Sequence, residues 1–165
     1  MKKWVLSIFL VSTFFFSSPS FSYTVSGCDS IPVLNQKIIV YTKSTIGKKV
    51  DHGECWDLAN EALKRNGAIW DHKYKYGQEI NPATECVYPG DIIQFEGVVL
   101  KYRNGPRMYE ETMTHHTAIV YEVKDKGVYV LIHQNNGFSG KKVGLSDLDL
   151  KTVVRGKMKF YRPVN

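Results

Sequence analysis

The chain has 165 residues, a formal net charge of +6 and 43% hydrophobic residues, a length and apolar content that suit one compact domain. The charge is too mild to argue for nucleic acid, and no nucleic-acid motif accompanies it. It fits a weak long-range attraction to anionic envelope polymers or membrane surfaces.

Residues 1–22 read MKKWVLSIFLVSTFFFSSPSFS, with two lysines, an apolar run from Trp4 to Phe16, and small residues before Ser22. This pattern predicts a secretory signal peptide whose apolar core is too short to span a bilayer. Cleavage after Ser22 would leave a single domain, residues 23–165, with no integral membrane segment and a net charge of +4 once Lys2 and Lys3 are removed. The expected location is then secreted, or periplasmic in the cell envelope. VSGC at Cys28 has the letters of a lipoprotein box, but eight residues separate it from the apolar run, which argues against lipidation.

Cys28, Cys55 and Cys86 make an odd count for an exported chain. Cys28 and Cys86 both lie among turn-forming residues and are the natural candidates for a bridge, though sequence alone does not fix connectivity.

Next comes VLNQKIIVYTKSTIGKK, with Leu34, Ile38, Tyr41 and Thr45 at helical spacing and Gly47 as a stop. A second helix is expected from about Glu54 to Arg65, closed by Asn66-Gly67, with Trp56, Leu58, Ala59, Ala62 and Leu63 forming a broad buried stripe. A long turn-rich connection follows, and then strands: DIIQFEGVVLKY, a turn at Asn104 to Pro106, HTAIVYEV, VYVLIHQN and KMKFYRPV. Helices followed by antiparallel strands predict an α+β fold, with N-terminal helices packed on a central antiparallel sheet. Residues 96–114 are long enough to act as a lid.

Cys55 falls in the first turn of its helix, where unpaired N–H groups and the macrodipole favour an anion such as a thiolate. A buried structural cysteine is the bland alternative, so Cys55 needs a base. Candidates lie in MTHHTAIVYEVKDKGVYVLIHQNNG, where Asp125-Lys126-Gly127 can close a hairpin. If Val123 pairs with Val128, then His116, His133 and Asn135 project from one side of the sheet. A slip of one residue would put Gln134 in the place of His133. His115 has the opposite parity and is the rival base. His52 reads as an entry-loop residue, Asp91 as a turn residue capping backbone groups, and Trp56 as core. Tyr74, Tyr76 and Tyr102 could line a groove. The histidines show no HExxH or paired CxxC spacing, so no metal and no cofactor are expected.

A cysteine at a helix start, then PGDIIQF, then HHTAIVYEV, resembles the papain-like cysteine amidohydrolases and peptidases of the CHAP and NlpC type, over roughly Ile39 to Asn136. The resemblance implies Cys55 as nucleophile, His116 as general base, His133 as the group that orients it, and Asn135 as a further polar member. It implies an amide-bond hydrolase, first of all one acting on peptidoglycan peptides. The chain departs from the pattern in reading Glu-Cys-Trp-Asp around the cysteine, and it lacks the aromatic-glycine approach of the NlpC branch. Cysteine precedes histidine, which argues against the permuted lipid acyltransferases. A secreted effector with the same chemistry on a protein substrate, and a catalytically silent binding domain, are the alternatives.

Overall fold

The computed structural model describes residue 28, residues 30–137 and residues 139–165. The expected signal peptide lies outside them. Two helices come first, α1 (Val33–Lys43) and α2 (Cys55–Arg65). Six strands follow: β1 (Gln78–Ile80), β2 (Ile92–Asn104), β3 (Arg107–Asp125), β4 (Val128–His133), β5 (Gly144–Asp149) and β6 (Val153–Arg162). They form one open antiparallel sheet in the order β1-β6-β2-β3-β4-β5. Among the described residues no helix is long and apolar enough to cross a membrane.

The expected α+β class is therefore corrected: the described chain is predominantly antiparallel sheet with only two helices. The reason lies in its two cores. One packs Leu34, Ile38, Leu58, Ala62 and Leu63 of the helices against Ile92, Ile119, Ile132 and Tyr161 of the sheet. The other buries Ile80, Ile93, Phe95, Val98, Leu100, Ala118, Val120, Tyr129, Leu131, Leu148 and Phe160, every one a strand residue. The sheet thus supplies its own second core and needs no helical cover there. The segment read as a lid is the outer half of a β2–β3 hairpin, in register from Ile92↔Ile119 to Asn104↔Arg107.

α2 begins where the sequence places it. Glu54 is its N-cap, the Glu54 N–H donates to the Asp57 carboxylate (2.8 Å), and Lys64 and Arg65 lie in the last turn against the dipole. α1 is docked through the Pro-Gly-Asp turn. Asn35 Nδ2 donates to Pro89 C=O (3.0 Å) and to Asp91 Oδ1 (2.8 Å). Gly90, at φ +90°, leaves no room for a side chain, since a Cβ there would stand 2.7 Å from Asn35 O. Asp91 is more than the turn cap expected from sequence. Fully buried, it pairs with Arg162 at the end of β6 (Nη2–Oδ2 2.8 Å, Nε–Oδ1 3.1 Å).

Cys28 is bridged to Cys86, with Cα atoms 5.7 Å apart across a sequence separation of 58. A sulfur in that bridge cannot carry a lipid thioether. Cys55 is a free cysteine.

Candidate active site

α2 delivers Cys55 as its first helical residue, and the loop before it is held by Gln134, which is fully buried. Gln134 Nε2 donates to Val50 C=O (3.0 Å) and Glu54 C=O (2.8 Å), while its Oε1 accepts the Val50 N–H (3.1 Å). Sequence reasoning met Gln134 only as the residue that a register slip would exchange for His133. No local signal marks a glutamine that bonds to a loop 84 residues away. Gln134→Ala leaves three backbone groups without their partner and is expected to lower stability by roughly 2 kcal/mol. The check is urea unfolding; a change under about 0.5 kcal/mol, the ordinary scale of a surface substitution, would refute the anchoring role.

The Cys55 Sγ rests on β3. Its thiol donates to His115 C=O at 4.0 Å, and the backbone N–H groups of Thr117, Trp56 and Cys55 itself point at the sulfur. The sulfur therefore sits against the peptide units on both sides of His116. Burial pushes the thiol above its ordinary pKa, more than those N–H groups lower it.

His116 and His133 meet. His116 Nε2 lies 2.7 Å from His133 Nδ1, with the rings edge-to-face at 5.0 Å. His133 Nε2 is in turn 2.9 Å from Ser146 Oγ on β5, a strand that the sequence reading missed. If each Nε2–H donates outward, His116 Nδ1 is left as a bare acceptor, the tautomer a base requires. Burial lowers His116 to about 4 and His133 to about 3, each also disfavoured by a neighbouring histidine. At neutral pH both rings are uncharged.

The pair forms because the inner register of β3 and β4 is the one expected, Ile119↔Ile132 and Val120↔Leu131. Towards the turn the pairing shifts to Glu122↔Val130 and Asp125↔Val128, so Val123 does not face Val128. Asn135 is not brought to the imidazoles. It leaves the strand with φ +56°, is exposed, and donates to Glu54 Oε2 (2.7 Å), whose other oxygen takes Lys141 Nζ (2.7 Å).

His115 lies on the helix-facing side of the sheet. Its Nδ1 is 2.9 Å from Glu96 Oε2, and the Tyr74 ring stands edge-on at 4.3 Å. Beneath it, buried Tyr76, Thr117 and Gln94 share hydrogen bonds of 2.7–3.3 Å. His52 is exposed and pairs with Asp51 (3.0 Å). Asp51, His52 and Asp57 bring three ligand atoms within 4.8 Å of one another, but Asp57 is already engaged by the Glu54 N–H. Trp56 packs edge-on against Trp70 (6.0 Å), as a core residue would. A groove of about 570 Å³ opens beside His116, between Tyr102, Tyr109, Glu111 and Met113 of the hairpin arm and residues 135–137.

The chain is 25% identical over 143 residues to Altered inheritance of mitochondria protein 3 of Debaryomyces hansenii, covering 75% of this chain but only 15% of that protein. Two crystal structures of Ly7917, one with the hydrolysing product of MDP, are 16% identical, with TM-scores of 0.44 and 0.46. They cover 77% and 78% of this chain, which spans 62% and 63% of theirs. Residues 33–165 match the AIM3/BBC1 cysteine proteinase-fold domain. The resemblance drawn from sequence thus holds for the cysteine-proteinase fold without specifying the CHAP or NlpC branch, and the chain belongs to the AIM3/BBC1 cysteine proteinase-fold domain family.

Proposed function

We propose that this domain is an exported cysteine amidohydrolase or peptidase that cleaves a peptide amide bond through Cys55. The observation that carries the reading is the buried, neutral His116–His133 pair, anchored by Ser146, on a strand whose backbone on both sides of His116 is touched by a free thiol at a helix start. The bridging of Cys28 to Cys86 leaves that thiol unpaired and suits an oxidising compartment.

In this mechanism His116 Nδ1 takes the Cys55 proton as the sulfur attacks the carbonyl carbon. The Cys55 N–H, at the open end of α2, stabilises the oxyanion. His116 then gives the proton to the leaving amine as the C–N bond breaks. Water, deprotonated by the same imidazole, hydrolyses the thioester and returns the thiol. His133 holds the tautomer of His116 and is a positioning residue. The substrates we propose first are peptidoglycan stem peptides or the sugar–peptide linkage, to which a net positive chain is drawn.

A second reading, a silent peptide-binding domain, draws on the raised thiol, since no thiolate–imidazolium pair exists at rest. The pH profile of kcat/KM separates the two. A base works only when unprotonated, so lowering His116 to about 4 keeps the base available as pH falls. Activity should hold to about pH 5 and be lost near pH 4, whereas an ordinary imidazole would fail near pH 6.5. Iodoacetamide labelling of Cys55 should rise towards alkaline pH. An acid limb near 6.5, or a profile indifferent to His116→Ala, would remove His116 from the mechanism. No turnover of any wall or protein peptide would favour the binding domain.

A further inference from the structure

Beyond His116 the β2–β3 hairpin runs on as an arm. Gly97, at φ +59°, breaks the strand alternation, so that His116 and Met113, three residues apart, share one face. Their partners in register, Phe95 and Val98, both belong to the second core, and Met113 packs against it. Outward from there the alternation of two resumes, which adds Glu111 opposite Leu100 and Tyr109 opposite Tyr102 to the same face. In order from the base, that face of β3 presents His116, Met113, Glu111 and Tyr109. All four line the groove of about 570 Å³.

The charge of the groove sets what it can bind. The chain is net positive, yet among the described residues no lysine or arginine lines this groove, and Glu111 is its one carboxylate. Glu111 is half-buried and its Oε1 accepts a hydrogen bond from Tyr102 OH. Its Oε2 has no donor among the described residues, since Lys101 beside it is held by Glu110 (2.9 Å). The phenol fixes the carboxylate, and the Tyr102 and Tyr109 rings stack next to it, 5.5 Å apart with an interplanar angle of 10°. A fixed carboxylate beside aromatic rings suits a cation, which gains a charge-assisted hydrogen bond from one and the ring quadrupole from the other.

We propose that Glu111, with the Tyr102–Tyr109 stack, forms a specificity subsite for a cationic side chain of the peptide substrate. This rests on the amide-hydrolase reading and specifies its substrate. Glu111 lies five residues from His116 along β3, a reach of about 16 Å, so an extended peptide places the cation about three to five residues from the scissile bond. Because His116 protonates the leaving amine, the groove that leads away from it holds the leaving-group fragment. The α-amine of that fragment is the one released at the scissile bond. The cation at Glu111 is therefore a lysine- or arginine-like side chain, and single amino acid amides would be poor substrates.

The test uses internally quenched decapeptide libraries, random except for one position fixed as lysine or as norleucine, with cut sites located by mass spectrometry. Where the fixed position falls three to five residues into the leaving-group fragment, wild type should favour lysine by about 5- to 10-fold in kcat/KM, the worth of one hydrogen bond to a charged group. Glu111→Gln keeps an acceptor for Tyr102 and removes the charge. It should abolish the preference through KM and leave the norleucine rates and the iodoacetamide labelling of Cys55 as they are. Glu111→Lys should favour glutamate at the same position. A lysine preference that survives in Glu111→Gln, or none in wild type, would overturn the subsite while leaving the hydrolase reading intact. Where wild type cleaves no library, the hydrolase reading fails and binding decides the subsite. By fluorescence anisotropy the lysine library should then bind wild type, but not Glu111→Gln, more tightly than the norleucine library; equal binding to wild type would overturn the proposal.

Discussion

Replacing Cys55 with alanine is expected to abolish hydrolysis, by about 10⁴-fold or more in kcat/KM, with the fold unchanged. The size follows from its role: without the sulfur there is no acyl-enzyme, and only binding and the oxyanion donor remain. The intact fold follows from its place. Cys55 is only half-buried, alanine is a good first-turn residue, and the cap bond from Glu54 N–H to Asp57 is untouched. His116→Ala should lose about 10²–10⁴-fold, the usual worth of a general base. His133→Ala should cost less and should shift the acid limb of the pH profile, because it acts through His116. Initial rates on peptide libraries, with circular dichroism as the fold control, check all three. A Cys55→Ala protein that still turns over would end the thiol mechanism, and a His116→Ala protein at wild-type rate would point to the His115–Glu96 pair instead.

Asp91→Ala is expected to lower stability by about 3–5 kcal/mol, a large part of the 5–15 kcal/mol typical of a folded domain. A turn-capping aspartate would cost only about 1 kcal/mol. The difference comes from what the carboxylate joins. Asp91 accepts from Arg162 on β6, from Asn35 on α1 (2.8 Å) and from the Tyr88 N–H (2.8 Å). Arg162 also donates to the Cys86 carbonyl and lies 4.5 Å over the Tyr88 ring. Removing Asp91 leaves a guanidinium, four-fifths buried, without its counter-charge, and it loosens the contact of α1 with the sheet. Urea unfolding with the disulfide intact measures the change. A loss under about 1 kcal/mol would mean that the ion pair is spent against its own desolvation.

Two features of the site were legible in the chain because they depend on near neighbours. The start of α2 at Cys55 is written in an acid at the cap, an acid at the third helical position and Asn66-Gly67 at the end. The meeting of His116 with His133 follows from the inner register of β3 and β4, which the sequence suggested although the pairing shifts twice towards the turn. The bridge from Cys28 to Cys86 was one option that turn chemistry favoured; the fold brings the two sulfurs together.

What the chain did not show arises from contacts between distant residues. Gln134 and Asp91 read as ordinary polar residues, and only burial with partners 71–84 residues away makes them anchors. Ser146 sits on a short, partly polar edge strand that carries almost no strand signal, so the last link of the histidine chain was out of view. Asn135 shared a face with the histidines only while β4 was imagined to continue through it. The fold class went astray for a related reason. Two well-marked helices suggested a layered α+β domain, while the second core is assembled from residues of six strands, most contributing only one or two apolar side chains. Local pattern specified the helix that carries the thiol and the hairpin that carries the imidazoles. Tertiary structure alone decided which strand edge stays open beside them, because that depends on where β4 stops pairing, and a turn in space, not a pattern in sequence, stops it.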